Sequence, residues 1–267
     1  MNWNAHSSSS HLAVKGDHVK EWLQDLEKKH NITIYYACEA GSRAWGTASE
    51  QSDYDVRFIY KYNEVRSYLA LKPEQQTIVH ASPADSAGWD LFKAFSLLEK
   101  SNPSLYEWAY SPIVYIDRQD FASRLRNFIS EEYSSFKLAK HYQGLMVRNL
   151  KEISGKELTP RRQKQLIHAA RSALLAGMLS KEMKAVPWSD LFACAPEGQD
   201  FAQILPYYHI LGESKASGRL IKESERAELE VFLYRQTNQL DIPAGEAGKR
   251  ENTRGKLNQW LWELLDI

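Results

Sequence analysis

The chain has 267 residues, of which 43% are hydrophobic and 25% charged, and its 34 basic side chains are balanced by 34 acidic ones. This composition excludes collagen-like, low-complexity and fully disordered classes of protein. The sequence lacks a run of about 18 apolar residues, so we expect no membrane-spanning helix and no membrane partner. Its two cysteines, Cys38 and Cys194, are too few for a disulfide framework, which favours a cytoplasmic location.

Predicted elements divide the chain into a mixed unit and a helical unit. A polar N-terminal tail covers residues 1–15. The pattern then predicts helix 18–29, strands 32–38 and 56–60, a short helix 63–71, a strand within 77–85, and helices 88–100 and 104–111. The remaining pattern is helical over 119–132, 134–153, 160–184, 198–212, 217–238 and 253–265. The sequence therefore predicts an α+β fold, with a small mixed sheet and its helices in residues 16–118 and an all-helical domain in residues 119–267.

A Gly-Ser turn follows the first predicted strand. Glycine at position 41 lets the backbone approach a ligand closely. Successive amide groups in such a turn, together with Ser42 and Arg43, are suited to hold a phosphate. The turn is therefore a candidate phosphate-binding loop.

A pair of carboxylates follows this turn about ten residues later. Asp53 and Asp55 are two residues apart in an extended segment, so their side chains are expected on one face. Divalent metals relieve the repulsion between such groups, and Mg²⁺ is commonly held by one or two carboxylates together with substrate phosphates. Arg57 continues the alternation on the same face, where it either contacts phosphate or forms a plain salt bridge.

These motifs resemble those of the DNA polymerase β-type nucleotidyltransferases, which combine a Gly-Gly or Gly-Ser turn with a later Asp-x-Asp pair. Ala40 is a mild departure, since the pattern has a larger apolar residue there. Further segments make the chain similar to the YcgL-like, or RlaP, nucleotidyltransferases over about residues 20–190. They are CEAGSRAWG, SDYDVRFIY, GWDLFKAF, SNPSLYEWAYSPIVY and QKQLIHAARSALLAG. The resemblance is specific for the family and weak for the substrate.

The resemblance implies roles for the turn and the carboxylates. Gly41 and Ser42 would hold the β and γ phosphates of a nucleoside triphosphate, with Arg43 as a phosphate partner beside them. Asp53 and Asp55 would bind two Mg²⁺ ions. The family also implies a third carboxylate from a neighbouring strand, which activates the acceptor hydroxyl.

Asp85 is the preferred third carboxylate, because the family usually has an acidic residue shortly before the Gly-Trp-Asp segment that begins at Gly88. The surrounding sequence is a poor strand, with Pro83 and several alanines. Asp90 is the rival, although an aspartate there is also typical of the first turn of a helix. Glu74 is a more distant alternative.

A basic block lies in the helical unit, where residues 137–184 carry 11 basic and 3 acidic side chains. By resemblance, Lys140 and Tyr142, and then Lys164 and Arg171, are the candidates for contacts with the triphosphate and base. Lys164 and Arg171 are seven residues apart and share a helical face. An RNA-binding patch is the alternative interpretation of the block, and a solvated helix face is the plainer one.

The predicted function is Mg²⁺-dependent transfer of a nucleoside monophosphate from a nucleoside triphosphate to an acceptor hydroxyl, with release of pyrophosphate. The family's association with RNA ligases makes an RNA end a reasonable acceptor, while transfer to a protein or tRNA, or modification of a small molecule, stays open. The alternative is a non-catalytic module that binds nucleotide or RNA and keeps the fold. The sequence predicts neither the nucleotide nor the oligomeric state.

Overall fold

The fold is a mixed α+β arrangement, as the sequence predicts. The computed structural model describes residues 16–71, 75–81, 84–182, 184–185, 187–188, 200–240, 242 and 252–267. The predicted tail 1–15, Glu74, Pro83 and Cys194 lie outside these residues. Within them, the strands are β1 (Ile32–Glu39), β2 (Asp55–Tyr62), β3 (Thr77–His80), β4 (Asp85–Asp90) and β5 (Val114–Asp117). No helix in the described part of the chain is both long and apolar enough to cross a membrane.

Helices surround this sheet and make up the rest of the described chain. Those within the first 118 residues are α1 (Gly16–His30), α2 (Gly41–Ala44), α3 (Leu91–Glu99) and α4 (Pro103–Ala109). Those that follow are α5 (Phe121–Glu132), α6 (Ser135–Ile153), α7 (Pro160–Glu182), α8 (Leu205–Ala216), α9 (Glu223–Gln239) and α10 (Thr253–Leu265). Short 3-10 helices cover Val65–Leu69 and Asp200–Ile204. The division into domains at residue 118 stays a prediction.

The strand order in the described sheet is β3-β4-β2-β1-β5. Strands β2 and β4 are parallel, with Asp55 opposite Asp85, whereas β1 is antiparallel to both β2 and β5. This parallel pair brings the start of β4 to the start of β2. The sheet therefore places the predicted third carboxylate directly beside the Asp-x-Asp segment.

The strand predicted within 77–85 is present as β3, and residue 85 begins a second strand, β4. The helix predicted from residue 88 begins instead at Leu91, so its start was predicted wrongly. Gly88 lies in β4. A larger residue would not fit at this position, because a Cβ there would be 2.0 Å from the ring of Phe58 on β2. The short strand β5 was not predicted.

Candidate active site

The Gly-Ser turn packs directly against the carboxylate of Asp55. Gly41 has a left-handed backbone with φ of +55°, and a Cβ at this position would lie 2.5 Å from Asp55 Oδ2. The amide of Ala40 donates to the backbone oxygen of Asp55 at 2.6 Å. Glycine is therefore required here for two independent reasons, the backbone conformation and the close approach of the carboxylate.

A buried glutamate fixes the position of this carboxylate. The side chain of Glu39, at the end of β1, accepts the amide of Asp55 at 2.8 Å and the hydroxyl of Tyr115 at 2.5 Å. Its backbone oxygen accepts the hydroxyl of Ser111 at 2.6 Å. Glu39 thereby ties β1, β2 and β5 together beneath the turn. It is absent from the candidate set above; the available signal was an acidic residue at the end of an otherwise apolar strand.

Arg57 lies between two of the three predicted carboxylates. Its Nη2 atom is 2.5 Å from Asp55 Oδ1 and 3.6 Å from Asp85 Oδ2. Asp53 precedes β2 by two residues and is exposed. The structure thus brings Asp55, Arg57 and Asp85 together, with Asp53 on the adjoining segment.

Arg57 is the cation beside Asp55, and three nearby carboxylates oppose its effect. Burial is the largest influence and raises the pKa of this carboxyl to about 6, against the opposing effect of Arg57. The nearby carboxylates of Asp85, Glu39 and Glu107 raise it further. Although Oδ1 forms the ion pair with Arg57, this buried atom lacks a well-aligned hydrogen-bond donor. A cation is therefore the group that this arrangement would accommodate best.

The described residues contain no ready cluster of three or more His, Cys, Asp or Glu side chains for a metal. This is compatible with Mg²⁺, which usually retains several waters and takes only one or two protein carboxylates, with substrate phosphates completing its shell. Asp55 and the adjoining Asp53 and Asp85 have the hard oxygen ligands that this ion prefers. The residues therefore fit Mg²⁺ bound together with a phosphorylated substrate.

Asp90, the rival third carboxylate, lies at the opposite end of β4 from Asp85, about 17 Å along the strand at the usual rise. It is buried and caps α3 by accepting the amide of Lys93 at 2.8 Å. This placement separates Asp90 from the Gly-Ser turn. The catalytic role of Asp85 stays a prediction.

Arg43 connects the turn to the segment that precedes β2. Its guanidinium donates to the backbone oxygen of Ser52 at 2.7 Å and stacks over the ring of Tyr54 at 4.1 Å. The backbone oxygen of Ser42 accepts the amide of Thr47 at 2.9 Å. Arg43 therefore holds the Asp53-containing segment against the turn, whether or not it also contacts phosphate.

Two helices of the second half of the chain bring cations to the loop that follows the turn. The guanidinium of Arg171, on α7, lies 4.2 Å above the ring of Trp45. Lys215, on α8, donates to the backbone oxygen of Thr47 at 2.7 Å. Burial, and then the nearby charge of Lys164, lowers the pKa of Lys215. Lys215 was not among the candidates, because its place on the loop depends on how α8 packs.

Lys140 and Tyr142 do not share a surface. Tyr142 is fully buried, and its hydroxyl donates to a carboxylate oxygen of Glu107 at 3.0 Å. Lys140 is exposed and points its ammonium group at Gln143, 3.3 Å away. Residues two apart on a helix face different directions. The structure therefore does not bring Lys140 and Tyr142 together on one surface, whereas Lys164 and Arg171 do lie on one side of α7.

Comparison with known proteins agrees with this geometry. Residues 16–263 match the model of a family described as the RlaP, or RNA repair pathway DNA polymerase beta, family. The chain is also 32% identical over 229 residues to the uncharacterized protein YcgL of Bacillus subtilis (strain 168), which covers 83% of this chain and 77% of that protein. The matched region includes the turn, the carboxylates and nearly all of the helical part. The chain belongs to the RNA repair pathway DNA polymerase beta family.

Proposed function

We propose that this chain transfers a nucleoside monophosphate from a nucleoside triphosphate to an acceptor hydroxyl, with release of pyrophosphate. The observation that carries the proposal is the contact between the Gly41 backbone and the Asp55 carboxylate, with Asp85 opposite Asp55 on the parallel strand. This contact places a turn of the type that binds phosphate against a set of carboxylates. Membership of a polymerase β-type family supports the same reaction class.

The carboxylates Asp53, Asp55 and Asp85 would hold two Mg²⁺ ions in this proposal. When bound, these ions neutralise the phosphates and stabilise charge on the attacking and leaving oxygens. The position of Asp55 opposite Asp85 supports this assignment, because a cation between the two carboxylates would relieve their repulsion. Glu39 keeps the Asp55 backbone in place, so the ligand position does not depend on the loop alone.

The chain's own cations orient the triphosphate. In this proposal the backbone of the turn at Gly41 and Ser42 would hold the phosphates. Arg57 pairs with Asp55 in this structure and would contact phosphate instead when the triphosphate is bound. Lys164 and Arg171 would balance the remaining negative charge from the side of the loop. Asp85 would accept the proton of the acceptor hydroxyl as it attacks the α-phosphate.

An RNA end is the proposed acceptor. The family description supports it, since it names an RNA repair pathway. The competing function is a binding module that holds nucleotide or RNA without transfer, and the same experiment distinguishes the two.

The test is transfer of labelled nucleotide from each of the four α-labelled triphosphates to a single-stranded RNA, with and without Mg²⁺. We expect Asp53→Asn and Asp55→Asn each to reduce transfer by at least about a hundredfold, because loss of one electrostatic partner at the reacting phosphate typically costs that much. Thermal stabilisation by triphosphate and Mg²⁺ should fall in the same variants.

Asp25→Asn is the matched control, since Asp25 is an exposed acid on α1 that pairs only with the equally exposed Lys28 among the described contacts. It should retain transfer. Binding of triphosphate without transfer to any acceptor would instead favour the non-catalytic function. Full transfer by Asp55→Asn would contradict the assignment of the metal site.

A further inference from the structure

A basic groove runs along the exposed side of α6, outside the site described above. It has a volume of about 580 Å³ between α6 and the end of α9. Three of its lining residues are the exposed cations Lys140, Arg148 and Lys151. They span 11 residues, or about 16 Å of helix axis. Glu152 is an acid at the far end, so the groove has a net positive lining.

The packing of α6 leaves this groove open to solvent. Apolar residues such as Leu138, Met146 and Leu150 are buried on one side of the helix, so the opposite side faces solvent. Gly144 lies in the middle of the groove, and no atom of the described residues is within 4 Å of the position that its Cβ would take. The groove therefore has no side chain at Gly144, and Gln143 and Val147 line it between the cations. Such a shape admits an extended polymer.

An exposed aromatic side chain lies one helical turn from a residue that lines the groove. Thr237 of α9 lines the groove, and Tyr234, one helical turn earlier, is 41% exposed. Residues three apart are neighbours on a helix surface. Cations that follow a backbone, combined with an exposed aromatic ring for stacking, are typical of surfaces that bind single-stranded nucleic acid.

The helix that carries the groove also contacts α4. The hydroxyl of its buried Tyr142 donates to a carboxylate oxygen of Glu107 at 3.0 Å. This contact joins α6 to the part of the chain that contains the candidate active site.

We infer that this groove binds the single-stranded RNA next to the reacting end, as the acceptor-binding surface of the enzyme. The statement that the reacting end of this RNA lies at the carboxylates rests on the proposed function. The binding itself requires only the cations, the open channel and the exposed ring. The surface is distinct from Lys164, Arg171 and Lys215, which lie by the loop after the turn.

The test measures binding of a fluorescein-labelled 12-nucleotide single-stranded RNA by anisotropy, without triphosphate or Mg²⁺, from 50 to 300 mM KCl. In the triple variant Lys140→Gln/Arg148→Gln/Lys151→Gln we expect the Kd to rise at least tenfold at 0.1 M KCl. The slope of log K against log salt should fall by about 2, because each phosphate contact on a single strand contributes about 0.7. Tyr234→Ala should weaken binding about tenfold with little change in slope.

The control is Lys20→Gln/Lys29→Gln/Arg66→Gln, which removes the same charge from exposed positions on α1 and on the Val65–Leu69 helix. It should change the Kd less than twofold. Equal losses in the two triple variants, or unaltered binding in the groove variant, would overturn the inference.

Thermal stabilisation by ATP and Mg²⁺ separates this result from the proposed function. It should be the same in the double variant Arg148→Gln/Lys151→Gln and the parent, because neither of these residues is assigned to the triphosphate. If the chain binds RNA through the groove but transfers no nucleotide, the proposed reaction is overturned and the inference about the groove is supported. If the groove variant still transfers nucleotide to a dinucleotide acceptor, while its KM for the 12-nucleotide RNA rises, the proposed function and the inference about the groove are both supported.

Discussion

At the scale of single residues, the candidate site depends on positions where a side chain is absent or an ionisable group is held in place. Gly41 is such a position, and Glu39 anchors the residue that Gly41 contacts. The spacing of Gly41, Asp53 and Asp55 was enough to predict that this region carries chemistry. The Glu39 contact could not be predicted, because it requires the register between β1 and β2, which brings residues 16 apart in sequence together.

Replacing Gly41 by alanine tests whether the close approach to Asp55 matters as well as the backbone conformation. Gly46 provides a matched control, because its φ is +67° and its side-chain position is open among the described residues. We expect Gly46→Ala to cost about 1–2 kcal/mol from the left-handed conformation alone. Gly41→Ala adds overpacking and should cost about 3 kcal/mol or more. Urea unfolding measures both, and equal losses would contradict the close contact.

At the scale of elements, the sequence predicted most of the helices and strands. Four of the six helices predicted after residue 118 lie within two residues of their predicted bounds, whereas those predicted over 198–212 and 217–238 begin later, at Leu205 and Glu223. Strand β4 was not predicted, since its sequence is a poor strand pattern and the strand is held by pairing with β2. Asp90 ends that strand and begins α3, as a buried cap.

The cap at Asp90 predicts a pH dependence of stability. Burial raises the pKa of this carboxyl from 3.8 to about 6, against the lowering effect of the Lys93 amide and charge. Since the folded-state pKa is the higher one, the contribution of Asp90 to stability is fully present below about pH 4 and is lost as the pH rises through about 6. Asp90→Asn keeps a capping oxygen and removes the charge.

We therefore expect the stability of Asp90→Asn, relative to the parent, to improve by roughly 1–3 kcal/mol between pH 4 and pH 7. Urea unfolding at several pH values measures this difference. The exposed Asp25→Asn should show no comparable trend. A difference that is flat with pH would show that the buried cap is not the source.

At the scale of the whole molecule, one hydrophobic core joins the sheet unit to the helices that follow it. Buried residues from β1, such as Tyr36, belong to the same cluster as those of α7 and α10. The C-terminal helix returns to the sheet, where the hydroxyl of Tyr35 and the ammonium of Lys61 both donate to the backbone oxygen of Leu264, at 3.0 and 2.8 Å. The sequence predicted two units, but such long-range packing is not encoded in local periodicity.

This shared core predicts that the two sequence-defined units unfold together. The ring of Trp260 is buried and packs on Phe95 and Phe121 at centroid distances of 4.8 and 4.9 Å, whereas Trp262, two residues later, is 52% exposed. We expect Trp260→Ala to destabilise the whole chain by about 3–5 kcal/mol, and Trp262→Ala by less than about 1 kcal/mol. Denaturant unfolding followed by far-ultraviolet and near-ultraviolet circular dichroism should show one transition that shifts as a unit. Two separate transitions, with only one moved by Trp260→Ala, would instead establish a domain boundary near residue 118.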